Sequence, residues 1–336
     1  MGGKAWAEGT DSAVVLMYHR FGDSPKPSTN IGLERFEGHL RTLLSGGYHV
    51  LPLSQIVAAL KEGRPLPDRT VAITLDGATD SGYREAWPRL RAAKLPFTVF
   101  LSTDEVDAGA RGFMNWDQVR AMAKAGVDFG VATCSHSHLP ALKVSEARED
   151  IACGLRRFEQ EVGIRPSLFS YPYGEASREV VALAREAGFQ AAFGDHSGPM
   201  SRTSDFHFLP RFPMDHSVGP GRMLLIFNSL PLPVENVSPA DPAPGTNPPE
   251  VAFTVGEAAG SLEALFCYAS NGGDVQVIRE GRRVTARPLK PFPPTRGRLN
   301  CTQPPTSGRW RWLGQQFYFP ALPSHRQDGA PSSTGG

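Results

Sequence analysis

The sequence predicts an α/β fold: a parallel barrel or open sheet of strand–helix pairs, followed by a small all-β region. Three observations carry that prediction. From about residue 13 to residue 212, short apolar, β-rich runs alternate with amphipathic helical stretches, the pattern of βαβ units. Polar residues stand at the C-terminal ends of those runs, where barrels of such units keep their chemistry. A proline-rich stretch at 231–250 then leads into short strand-like segments broken by Gly and Pro.

The elements follow in order. Residues 13–17 form a strand, with Tyr18, His19 and Arg20 at its end. Residues 33–45 place Phe36, Leu40, Leu43 and Leu44 on one helical face, and Gly46-Gly47 ends the helix. A short strand at 49–53 precedes a helix running to Leu60, with Ser54 as N-cap. The apolar run 71–75 is a buried strand ending at Asp76 and Gly77. A helix at 84–93 and a strand at 95–101 complete one βαβ unit. Helices are expected at 115–125, at 145–162 with Ser145 as cap, and at 177–187. Strands are expected at 128–133, 168–171, 189–193 and 208–212, with Asp195, His196, Ser197 and Gly198 in an exit loop.

The prolines of 231–250 exclude helix and central strand, so this stretch is expected as a linker or surface loop. Strands are then expected at 262–269, 274–279, 283–288, 298–302 and 310–319. The expected organisation is a tail at 1–12, a barrel at 13–230, a linker at 231–250, a small β domain at 251–320 and a disordered tail at 321–336.

At 336 residues the chain can bury a large core. A net charge of +1 with 21% charged residues excludes a nucleic-acid surface and a charged disordered chain. No apolar run is long enough to span a bilayer. The first residues lack the apolar core of a signal peptide, yet Ala5-Trp6-Ala7 has an A-x-A spacing. A signal-peptide remnant and a plain tail are both open. The four cysteines show no zinc-binding spacing. Cys267 and Cys301 sit in strand-like settings, and a disulfide or two buried thiols are both open for them.

Asp76 alone reads as a turn cap. Its context reads otherwise. VAITLDGATDSGY at 71–83 resembles the first motif of the polysaccharide deacetylases, carbohydrate esterase family 4 (the nodulation-type deacetylase domain), where a strand ends in Thr-Phe-Asp-Asp-Gly. VVLMYHRF at 14–21 resembles that family's opening strand. SHSHLPAL at 135–142 resembles its histidine motif, SYPYGEAS at 170–177 its Pro-Tyr-Gly motif, and FLPRF at 208–212 a late strand.

The resemblance implies a distorted, seven-stranded (β/α) barrel. It implies metal-dependent hydrolysis of N-acetyl or O-acetyl groups on a carbohydrate, with an acetylated polysaccharide or oligosaccharide as partner. It also implies a periplasmic or secreted location, with a cytoplasmic one left open. The family's zinc, or another divalent metal, is held by one Asp and two His. Such a metal lowers the pKa of bound water from about 15.7 to about 7.

Carried over position by position, Asp76 is the base and Gly77 stands where the ligating Asp should be. In one register His136 is the second metal histidine and Ala132 occupies the place of the first. In the other, His138 is the second and Cys134 its partner, a soft ligand for zinc. Gly77 is lost in both, so zinc binding by this chain is doubtful. Asp80 and His138, with Asp76, His136 and His19, are the candidates for a rebuilt site.

Tyr173 matches the oxyanion corner, where a backbone N–H serves. Ser170 stands where many members carry an Arg that orients the base. Arg211 either supplies that charge or is a surface residue. Trp87, Trp116 and Phe113 are candidates for a sugar-lined cleft, with packing of its helix the alternative for Trp87. The expected function is a polysaccharide deacetylase-like protein with impaired hydrolysis. The alternative is a non-catalytic glycan-binding or scaffold subunit, with a protein partner docking through the C-terminal β region.

Overall fold

A computed structural model describes residues 10–22, 27–304 and 308–320. The A-x-A pattern and the tail expected at 321–336 lie outside the described residues.

Six parallel strands form the body of a curled sheet: β1 (Ser12–Tyr18), β2 (Thr70–Asp76), β3 (Thr98–Ser102), β4 (Asp128–Thr133), β5 (Leu168–Ser170) and β6 (Ala191–Phe193). They pair in that order. Val, Ile, Leu and Phe, with Ala, Met and buried Thr between them, fill β1 to β3, and both faces are buried. Such runs are what a parallel sheet covered on each face requires. Met200–Ser201 adds antiparallel to β1, Phe212–Pro213 parallel to β1 and His49–Val50 parallel to β2, so the sheet has nine strands.

The helices α1 (Leu33–Ser45), α2 (Leu53–Lys61), α3 (Trp87–Ala92), α4 (Trp116–Lys124), α5 (Val144–Val162) and α6 (Arg178–Glu186) wrap the outside. A further helix, α7 (Pro220–Phe227), follows the last barrel strand. Several local expectations shift. Pro52, not Ser54, stands at the N-cap of α2. Lys143 caps α5, its N–H donating to the Glu146 carboxylate at 3.1 Å, which leaves Ser145 inside the helix. The helix expected at 84–93 is a wide turn at Gly82–Ala86 running into α3. Of 208–212, only Phe212 is in a strand, with Leu209 making an isolated bridge to Phe193.

The start of the stretch expected as linker at 231–250 instead contributes to strands β7 (Leu230–Pro231) and β8 (Val234–Ser238). Both lie at sheet edges, where proline costs no ladder bond. They are followed by β9 (Val251–Val255), β10 (Phe266–Ala269), β11 (Val275–Glu280), β12 (Arg283–Pro288), β13 (Thr295–Gln303) and β14 (Arg311–Phe319).

Two four-stranded sheets result, ordered β7-β14-β13-β10 and β8-β9-β12-β11. Phe253, Leu265, Val284, Leu299 and Phe317 fill the space between them. Cys267 and Cys301 are register partners on β10 and β13 and form a disulfide. The outer face of the first sheet leans on the barrel: Trp312 packs edge-on against Phe212, ring centroids 5.2 Å apart.

Candidate active-site cleft

Asp76 ends β2, and the Gly77 N–H bonds to the Phe100 carbonyl at 2.8 Å, holding the strand end against its neighbour. Ser170 ends β5 and Asp195 follows β6, so three polar groups emerge on one rim. Together with His19, Gly77, Ala132 and His136 they line an open cleft of about 920 Å³.

Arg211 lies beneath it and is fully buried. Its guanidinium packs against the adjacent rings of Phe100 and Phe193, 5.4 and 5.9 Å from their centroids. It grips Asp76 with two bonds, Nη1 to Oδ1 at 2.7 Å and Nη2 to Oδ2 at 2.8 Å. This paired geometry fixes the carboxylate plane as a single-point charge could not. Nη2 also reaches the Ser170 hydroxyl at 2.8 Å and Asp195 Oδ1 at 3.2 Å, and Nε donates to the Gly194 carbonyl. The Ser170 hydroxyl in turn donates to Asp76 Oδ2 at 3.1 Å. Burial alone would lower the guanidinium pKa, but the two carboxylates outweigh it and raise the value.

The histidines divide. His136 is in the cleft at φ 56°, its N–H held by the Thr133 hydroxyl at 2.9 Å. Tyr173, at φ 59°, faces it with ring centroids 4.7 Å apart. Left-handed backbone at a non-glycine residue costs about 1–3 kcal/mol and tends to gather at functional sites. Burial pulls the His136 pKa below its ordinary value, against the opposing pull of Asp76, and His19 is shifted likewise. His138 points elsewhere. It stacks on Tyr173 at 4.1 Å, and Nδ1 is 2.5 Å from the carboxylate of buried Glu175. Burial raises the Glu175 pKa despite that pairing.

The rebuilt site does not assemble. Asp80 turns to the surface and pairs with Arg84 at 2.8 Å. Cys134 is bonded to Cys153, a disulfide with no signal in the sequence, and is therefore closed as a metal ligand. Gly77 and Ala132 offer no donor atom. Among the described residues no three His, Cys, Asp or Glu side chains converge as a metal site requires. The residues present do not fit the three-ligand zinc centre that the sequence motifs imply.

The Gly174 N–H, next to the oxyanion corner, is taken by the Tyr171 carbonyl at 2.8 Å. Phe113 lines the cleft. Trp87 packs on Tyr83, and buried Trp116 donates its indole N–H to Asp107.

Sequence reasoning missed the cleft's other wall. Arg296 and Arg298, on β13, project into it from the C-terminal sheet. Arg298 lies 3.7 Å from Asp195, and Arg296 reaches Glu175 at 3.3 Å and the Tyr173 carbonyl at 3.2 Å. Asp195 was within reach of the strand-end rule, since it follows β6. Nothing local marks Arg296 or Arg298, because their position depends on pairings across most of the chain.

A family model described as polysaccharide deacetylase matches residues 63–192. Over that stretch the barrel is similar to that family. Among curated relatives, the Bacillus subtilis (strain 168) protein YxkH, which carries the family name, is 24% identical over 197 residues, covering 59% of this chain and 69% of its own. The poly-beta-1,6-N-acetyl-D-glucosamine N-deacetylase of Staphylococcus aureus (strain MRSA252) is 25% identical over 229 residues, covering 60% and 78%.

Solved structures share the fold as well. Streptococcus pyogenes deacetylase PplD, in complex with acetate, gives a TM-score of 0.61 at 18% identity over 64% of this chain and 98% of that one. IcaB from Ammonifex degensii gives 0.57 at 24% identity over 65% and 97%. Members of the family are generally metal-dependent and act on acetylated polysaccharides. Among the described residues, no helix is long and apolar enough to cross a membrane.

Proposed function

We propose that this chain binds an acetylated glycan in the barrel cleft and hydrolyses it slowly or not at all. The observation that carries the reading is the donor set: of the three ligand positions, only His136 has a side chain able to coordinate. Asp76 remains held in place by Arg211 and Ser170, so a carboxylate is presented to whatever enters the cleft. A lone general base contributes about 10²–10⁴-fold, whereas enzymes supply about 10⁶–10¹⁷-fold. His136, kept neutral by burial, and Asp76 can hydrogen-bond an acetamido group without turning it over. The two disulfides fit a periplasmic or secreted location, where such bonds persist.

The test compares the parent with a Gly77→Asp, Ala132→His double variant for zinc content and for deacetylation of N-acetylglucosamine oligomers. The expected outcome is little zinc and little turnover in the parent, with both recovered in the double variant. Stoichiometric zinc with ready turnover in the parent would sink the reading.

A further inference from the structure

We propose that the edge strand β10 extends the cleft into an aromatic track that holds further sugar residues of the same glycan chain. The proposal rests on the reading of the cleft as a glycan site. Side chains alternate along a strand, so Phe266, Tyr268 and Ser270 share one face. Cys267 and Ala269 point into the core between the two sheets. Ser270 lines the cleft, and its hydroxyl accepts the N–H of Arg298, which lines it too. The face that begins at the cleft mouth therefore continues along β10. At roughly 3.3 Å per residue, it reaches about 13 Å beyond Ser270.

That face is aromatic. Phe266 is 45% exposed, and its ring lies 6.1 Å from Tyr268 and 6.3 Å from Trp310. Tyr268 and Trp310 are half-buried. Tyr268 is braced edge-on by buried Trp312 at 6.3 Å. β10 is the outer strand of its sheet, paired only with β13 among the described residues, so a chain can lie along it unobstructed by another strand. A pyranose ring has an apolar C–H face and a rim of hydroxyls. One exposed ring flanked by two partly covered ones, with Tyr268 packed on the barrel core, matches that amphipathic shape. Continuity with the cleft through Ser270 makes the occupant the same polymer rather than a separate partner.

The experiment is calorimetric titration of the full chain with β-1,4- and β-1,6-linked N-acetylglucosamine dimers and hexamers. Phe266→Ala, Trp310→Ala and the conservative Phe266→Tyr are compared with the parent. The expected result is tighter binding of a hexamer than of its dimer. Each alanine variant should weaken the hexamer roughly tenfold, the factor that about 1.4 kcal/mol of lost contact gives. The dimer should be unaffected, and Phe266→Tyr should restore the hexamer. If the dimer binds and the hexamer binds no better, or the variants change nothing, the track is refuted and the cleft reading stands. If neither oligomer binds the parent, both fail together. A change of oligomeric state in Phe266→Ala without an effect on glycan assigns the ring to a protein contact and overturns the proposal.

Discussion

At the level of single residues, Arg211 and Gly77 decide the character of the site. Arg211 and Asp76 form a buried pair, with side chains 0% and 14% exposed. Removing one partner of such a pair leaves the other charged and unpaired, at a cost of about 3–5 kcal/mol. Arg211→Met should therefore lower unfolding free energy by that amount in urea titration, and adding Asp76→Asn should return part of it. Equal stability of single and double variants would mean the carboxylate is relieved by water instead. Gly77 has φ +90°, and a Cβ at this position would make only an ordinary contact, with Thr79 Cγ2 at 3.8 Å. An Asp there is unobstructed but strained by about 1–3 kcal/mol. The double variant should thus melt below the parent without zinc and regain stability with it, as a ligand bound only by the native state requires. The strand-end position of Asp76 and Gly77 was legible from motif spacing, whereas Ala132 came from one of two open registers. Arg211 was legible only as an open choice, because a sequence cannot say which way a strand-end arginine turns.

Among elements, the contact of α5 with β4 sets where His136 sits. Gly154 of α5 lies so close that a Cβ would fall 2.7 Å from the Thr133 carbonyl carbon. Backbone occupies that space and cannot swing aside as a side chain does. Gly154→Ala should destabilise by roughly 1–3 kcal/mol, read as a lower urea midpoint. Next to this contact, the Cys134–Cys153 bond staples the helix to the loop after β4 across 19 residues. Its reduction should cost about 3 kcal/mol by loop entropy, checked by denaturation with and without reductant. Element type was readable from the alternation of apolar runs and helical faces. Cap positions and the edge strands of 230–238 were not. Lys143 and Pro52 have no capping side chain to betray them, and an edge strand tolerates the prolines that argue against a central one.

Across the whole molecule, the barrel and the C-terminal sheets share polar contacts at the cleft. Thr295 and Arg296 meet buried Glu175, Gln316 donates to the Tyr173 carbonyl, and Arg298 approaches Asp195. The intact chain should melt in one transition by calorimetry, with calorimetric and van't Hoff enthalpies agreeing. Two separated peaks would show independent units. Acid should weaken the fold through buried histidines: burial pulls His39 to about 4 and His196 to about 3. Both are neutral when folded and titrate near 6.5 when unfolded, so the unfolded state takes up protons first. Their contribution is complete above about pH 6.5 and is lost as pH falls through the folded values. His39→Gln should give a shallower decline of melting temperature between pH 6.5 and 4. The sheet order of the C-terminal half was beyond sequence reasoning, since short amphipathic strands carry no mark of their partners.

The pairing of β7 with β14 also imposes a schedule on biosynthesis. The chain leaves the barrel at Leu230–Pro231, builds six other strands, and only then makes Arg311–Phe319, the strand that lies against β7 and carries Trp312 onto Phe212. At about 5–20 residues per second, the delay between those strands is roughly 4–16 s. Through that interval the nascent barrel has its hydrophobic flank uncovered and its cleft open on the side of Arg296 and Arg298. Chaperones would meet the chain in that half-clothed form, so substitutions that leave the mature protein untouched can still lower its yield.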